Sequence, residues 1–126
     1  MKDIFQPGDN GSTFGGNPAV CAGAISNLNR LDEAMLEEVQ RKSAKIFAFF
    51  KDKKNVRSVT GKGLMIGIEP EHGTAGDLAK AILANGVLVL TAGGNKVRLL
   101  PPLNITDEEL ERALAVIAEA FAAETE

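Results

Sequence analysis

A change of hydrophobic period part-way along the chain constrains its fold more than any other feature. Met35, Leu36, Val39, Ile46, Phe47 and Phe50 fall near helical spacing. From Asn55 the pattern becomes "NVRSVTGKGLMIGIEP", which reads as two short strands around Gly61-Lys62-Gly63. The spacing predicts a helix over roughly 32–53, capped by Asp32 and with Lys51, Lys53 and Lys54 suiting its C-terminal end. Strands are predicted over Val56–Thr60 and Leu64–Glu69. A chain that switches period in this way must pack helices against a sheet.

The flanks extend the same alternation. Asn17-Pro18 opens an earlier helix, since Asn caps well and Pro at the first helical position loses no bond. A third helix is predicted over roughly 75–85, stopping at Asn85-Gly86. "VLVL" reads as a buried strand, "TAGGN" as a turn, and "KVRLL" as a strand halted by Pro101-Pro102. Thr106 with Glu109 three residues on is a capping box. It starts a last helix whose core stripe is Leu110, Leu114, Ile117 and Phe121. The order is helix-helix-strand-strand-helix-strand-strand-helix. The fold class is therefore α+β, a small, mostly antiparallel sheet covered by helices on one face.

Composition narrows the function classes. At 126 residues one domain is expected, large enough to bury a core without disulfides or metal. The net charge of −3 carries no nucleic-acid or anionic-membrane footprint. The absence of Trp and Tyr removes the stacking platforms that single-stranded nucleic acid needs. A lone Cys21 and a lone His72 leave no disulfide framework, no cysteine-rich zinc site and no multi-histidine metal site. No apolar run reaches membrane-spanning length and no secretory signal heads the chain, so the cytoplasm is the expected compartment. The triplets at Asn10 and Asn104 are then chance matches to a glycosylation pattern.

The stretch "GDNGSTFGGNPAV" raises the functional question. By its residues alone it is either a loop before a helix or an anion site, because hydroxyls and free amides near a helix start suit phosphate. It is no P-loop, since "GSTFGG" lacks the Lys-Ser/Thr pair, and "TGKGL" has Gly where a hydroxyl belongs. "MKDIFQPGD" is also a poor strand, so a dinucleotide fingerprint is not formed. Arg98 in "VRLLPP" reads, by its residues alone, first as a strand arginine in solvent or paired with a surface acid, and only second as an anion ligand.

Taken in order, "GSTFGGNP", "GKGLMIGIE", "LTAGG" and "VRLLPPL" closely resemble the C-terminal part of the class III pyridoxal-phosphate (PLP) aminotransferases. The resemblance runs from Phe5 to Phe121 and points above all to the acetylornithine branch, with the succinyldiaminopimelate and ornithine enzymes as relatives. It implies the C-terminal small domain of a fold-type I PLP transferase. Residues 1–16 would then be a phosphate-contacting loop belonging with a large domain, and 17–126 the small domain with its interdomain helix. The resemblance assigns Thr13, with Ser12 beside it, to the PLP phosphate of the other subunit of a dimer. Arg98 would hold the substrate α-carboxylate. The reaction implied is amino transfer from N-acetylornithine to 2-oxoglutarate, giving glutamate, in arginine biosynthesis. Two departures stand out: Asn10 where the family has His, and Thr60 where "VRGxGLM" has Arg.

The lysine that holds PLP and the acid against its ring nitrogen are expected upstream of "GSTFGGNP", hence before Met1. The chain is therefore expected to be a C-terminal piece that supplies no catalytic residue or metal ligand and is inactive alone. It is also expected to form a homodimer or higher oligomer, through an exposed apolar stripe expected at "AVCAGAI". The alternative is a non-catalytic binding or oligomerisation module. Lys62 reads as a solvent-exposed turn lysine, Cys21 as packing and His72 as solvated. Asp107-Glu108-Glu109 complements a helix N-terminus.

Overall fold

The computed structural model describes residues 11–124. Eight elements follow one another: α1 (Pro18–Leu28), α2 (Glu33–Phe50), β1 (Val56–Lys62), β2 (Met65–Pro70), α3 (Ala75–Ala84), β3 (Leu90–Ala92), β4 (Lys96–Leu99) and α4 (Asp107–Ala123). The chain divides into two compact units, Met1–Glu33 and Ala34–Glu126. The fold is α+β with a four-stranded, wholly antiparallel sheet in the order β1-β2-β4-β3.

Strand alternation sorts the sheet into two unlike faces. Val59, Ile66, Ile68, Val97 and Leu99 join Ile46 and Phe50 of α2, Leu78 and Ile82 of α3, and Leu110, Leu114, Ile117 and Phe121 of α4 in one core. The opposite face carries Ser58, Thr60, Gly67, Glu69, Lys96 and Arg98, whose register partners place them side by side. Helices α2, α3 and α4 thus pack on the apolar face, and the polar face is the one that carries Arg98 and Lys96.

Local chemistry closes the elements. Thr106 and Glu109 form the predicted capping box, and the predicted α4 stripe is fully buried. Thr74 caps α3, whose start is also stapled to the β3–β4 turn: Asn95 Oδ1 accepts from Ala75 N at 2.6 Å, and Asn95 Nδ2 donates to Gly73 O at 3.0 Å. Asn55 adopts a left-handed φ of 62° and donates through Nδ2 to Phe121 O and Glu124 O at 2.9 and 2.7 Å. That side chain satisfies carbonyls that the end of α4 leaves open.

Three expectations need correction. First, β1 runs on to Lys62, so the turn is the two-residue Gly63-Leu64, with Gly63 at φ 57° as such hairpins require. Second, "VLVL" is not a buried strand: β3 begins only at Leu90, and Leu88 is 76% exposed. Part of the reason lies in its partner: β4 ends at Leu99 before Pro101-Pro102, so residues 87 and 88 have no ladder to join, although Val89 still packs into the core. Third, Leu36 stands exposed, and the buried stripe of α2 starts at Val39 and takes in Lys42 and Ser43. The Lys42 ammonium is satisfied there by Ile105 O at 2.7 Å.

Charge ties α2 to the first turn of α4. Arg41 reaches Glu38 at 2.8 Å and Asp107 at 2.6 Å, while Lys45 reaches Asp107 at 3.0 Å and Glu111 at 2.6 Å. Hydrogen bonds from Arg41, then Lys45, hold the Asp107 carboxyl down to about 2. A depressed folded-state pKa contributes stability above the ordinary carboxylate range, and that contribution is lost as pH falls through the folded value. Asp107→Asn is therefore expected to lower the melting temperature at neutral pH by up to about 4 °C, since the pairs are exposed. The difference from wild type should vanish near pH 2, followed by circular dichroism. A deficit that persists unchanged at that pH would assign the effect to packing.

Candidate functional site

In the first unit, the glycine-rich segment is a turn tied to the start of α1. Asn17 Oδ1 accepts from Ala19 N and Val20 N, each at 3.1 Å, and its Nδ2 donates to Phe14 O at 2.7 Å. One side chain thus caps the helix and fastens the loop. Ser12 Oγ accepts from Gly15 N at 2.9 Å. A Cβ at Gly15 would fall 2.7 Å from that same oxygen, so the turn requires glycine there. The consequence is that Ser12 is committed within the loop while Thr13 stands exposed at its crown, with no partner for its hydroxyl among the described residues. Asn10 lies outside the described residues.

No residue of α1 is buried; Val20, Ile25 and Leu28 are exposed, as is Cys21, which does not pack as expected. The exposure foreseen for the small-residue stripe is found.

In the second unit, Arg98 sits on the face of the sheet opposite the core, between Gly67 of β2 and Leu90 of β3. Its Nε is buried and has no hydrogen-bond partner. A buried, unsatisfied guanidinium nitrogen costs free energy unless a ligand takes the bond. Among the described residues, no carboxylate lies within ion-pair distance of Arg98. Glu69, on the same face, is engaged by Ser58 Oγ at 2.8 Å and by Arg57 at 3.7 Å. The orphaned nitrogen, the missing counter-ion and the planar fork together fit an incoming carboxylate.

Arg98 and Thr13 belong to different units of the chain. Residues 1–121 match the family model of "Aminotransferase class-III". The chain belongs to the class III aminotransferases. Among its relatives, the acetylornithine aminotransferase of Haemophilus ducreyi is 46% identical over 122 residues, covering 96% of this chain and 31% of that protein. The acetylornithine aminotransferase of Clostridium acetobutylicum is 42% identical, covering 96% and 33%. The crystal structure of acetylornithine aminotransferase from Elizabethkingia anophelis superposes with a TM-score of 0.75 at 32% identity, over 98% of this chain and 34% of that one. The ornithine aminotransferase of Toxoplasma gondii, solved with partial occupancy of PLP at its active site, gives 0.75 at 33% identity, over 97% and 31%. The chain thus spans about a third of the length of the class III enzymes it matches.

Against the class III pattern, Thr60 has a definite role here. It stands where "VRGxGLM" carries Arg, and its Oγ1 accepts from Lys96 Nζ at 2.9 Å. Lys96 therefore brings a positive charge from β4 to that point on β1. Sequence reasoning passed over Lys96, although its place two residues before Arg98 on a strand puts both on one face. Lys62 is exposed at the end of β1, as expected, whereas His72 is half-buried rather than fully solvated. An open hollow of about 240 Å³ lies on the core side of β4, lined by Ile46, Val89, Leu99, Pro101, Ile105 and Leu114 among others. The side chains that line it are all apolar, so polar groups there can come only from the backbone. Among the described residues, no helix is long and apolar enough to cross a membrane.

Proposed function

We propose that this chain is the C-terminal part of a cytoplasmic acetylornithine aminotransferase, with one residue that binds a substrate carboxylate and another that binds the cofactor phosphate of the partner subunit, each site being completed by other residues. The observation that carries the reading is the buried, unpartnered Nε of Arg98 on the open sheet face. The names of its relatives point to acetylornithine and ornithine as substrates of the branch.

In this reading Arg98 binds the α-carboxylate of N-acetylornithine, and of glutamate and 2-oxoglutarate in the return half-reaction. Its fork orients the amino acid by two parallel hydrogen bonds. Gly67 and Leu90 are the register neighbours of Arg98 on β2 and β3. Thr13 donates its hydroxyl to the PLP phosphate, and Ser12 holds the turn that presents it. Because Thr13 serves the partner subunit's cofactor, the enzyme is a homodimer or a larger assembly. PLP, when bound, supplies the electron sink for amino transfer. The lysine that holds it covalently comes from outside this chain, so the chain alone does not transaminate.

Titration of the purified chain with PLP, read by visible absorbance, tests this directly. The expected result is no saturable band beyond weak adducts of scattered surface lysines. A stoichiometric band abolished by replacing one lysine, Lys62 first, would overturn the reading that this chain lacks its own cofactor lysine.

A further inference from the structure

We propose that Lys96 is a positioning cation for the carboxylate at Arg98, acting through its field rather than by contact. The proposal rests on the carboxylate role given to Arg98 above. Lys96 and Arg98 are two residues apart on β4 and so share the face of the sheet opposite the core. Gly67 is the residue directly opposite Arg98 on β2, and it leaves a notch where a side chain would stand. The hydrocarbon stem of Lys96 crosses that notch: a Cβ at Gly67 would meet Lys96 Cδ at 3.2 Å and Lys96 Cβ at 3.6 Å. The ammonium then ends on Thr60 Oγ1 of β1 at 2.9 Å. A lysine is thereby held flat across two strands beside Arg98.

Thr60 takes one of the three ammonium donors, and it neutralises no charge. Among the described residues no carboxylate pairs with either Lys96 or Arg98, and Glu69 is occupied by Ser58 and Arg57. Two like charges on one strand face, both half-buried and neither paired, repel each other. An anion bound at Arg98 relieves that repulsion and is attracted by both. The ammonium on Thr60 lies two strand spacings, about 10 Å, from β4, and Coulomb's law over that distance at an effective dielectric of about 40 to 80 gives about two- to fourfold in affinity. Such a contribution is screened by salt, whereas one from packing is not.

The test uses the whole 126-residue chain, labelled with nitrogen-15, with 2-oxoglutarate as the probe. The Nε–Hε resonance of Arg98 reports binding, and the amides of Ile66 and Leu99 report an intact core. A saturable shift is expected in the wild type. Lys96→Met keeps the stem and drops the charge, so affinity should fall about two- to fourfold at low salt. Lys96→Arg should restore most of it, and the gap between wild type and Lys96→Met should close at about 0.5 M salt. Absence of any shift in the wild type would sink the carboxylate role of Arg98 and this proposal with it. A wild-type shift that Lys96→Met leaves unaltered would overturn the role of Lys96 alone. So would a loss that Lys96→Arg does not restore, or one that persists at high salt.

Discussion

Arg98→Ala is expected to reduce kcat/KM for N-acetylornithine by about a hundredfold or more in an enzyme that carries this chain. A suitable enzyme is a chimera in which the chain replaces the matching segment of the Haemophilus ducreyi acetylornithine aminotransferase, to which it is 46% identical. Truncating one partner of a desolvated charge pair costs about 2–5 kcal/mol, because the substrate carboxylate enters the site without its counter-charge. Binding shared by ground and transition states appears in KM, while loss of orientation appears in kcat. Both should therefore worsen. Arg98→Lys should recover charge but not the fork, and so fall between wild type and Ala. The cofactor absorbance of the chimera should stay unchanged, since Arg98 is assigned to substrate. An Arg98→Ala chimera within about threefold of its parent would mean that the buried Nε answers to something other than a substrate carboxylate.

Features set by a few neighbouring residues were readable from the sequence. Asn17-Pro18 and the Thr106–Glu109 box are complete within four residues, and the helices begin where those residues place them. The stripe from Leu110 to Phe121 needed only the helical period. The errors arise where a distant partner decides. Residues 87 and 88 have strand-like composition, yet a strand needs a ladder, and β4 ends before Pro101-Pro102, too early to supply one. The burial of Lys42 has no local signal either, because it depends on Ile105 O, far along the chain, accepting its hydrogen bond. The Asn55 staple on the end of α4 and the Asn95 staple on the start of α3 are of the same kind.

The site divides in the same way. "GSTFGG" and "VRLLPP" marked Thr13 and Arg98 through family resemblance, and the structure adds local reasons for the turn, through Ser12, Gly15 and Asn17. The Lys96–Thr60 bond spans three strands, and its signal could be found only by asking which residues share a face with Arg98. Where Thr60 departs from the family pattern, it accepts a bond from the cation beside Arg98.

Phe121→Ala is expected to be the most damaging single truncation for stability, at about 3–5 kcal/mol. The side chain is fully buried in the last turns of α4, with its ring 6.5 Å from that of Phe50 of α2. Removing it deletes apolar burial and leaves a cavity that Phe50, itself fully buried, cannot leave its place to fill. The loss also falls on the segment whose Phe121 carbonyl is held by Asn55, the residue at the entry to β1. A single domain has about 5–15 kcal/mol in all, so the variant should be close to half-unfolded or worse at modest denaturant. Urea unfolding by circular dichroism should give a lower midpoint with an unaltered slope. Leu83→Ala, at a site 55% exposed on α3, should stay within about 0.5 kcal/mol of wild type. If Phe121→Ala were equally mild, the C-terminal turns of α4 would lie outside the cooperative core. The Asn55 staple would then be fastening a frayed end rather than closing the domain.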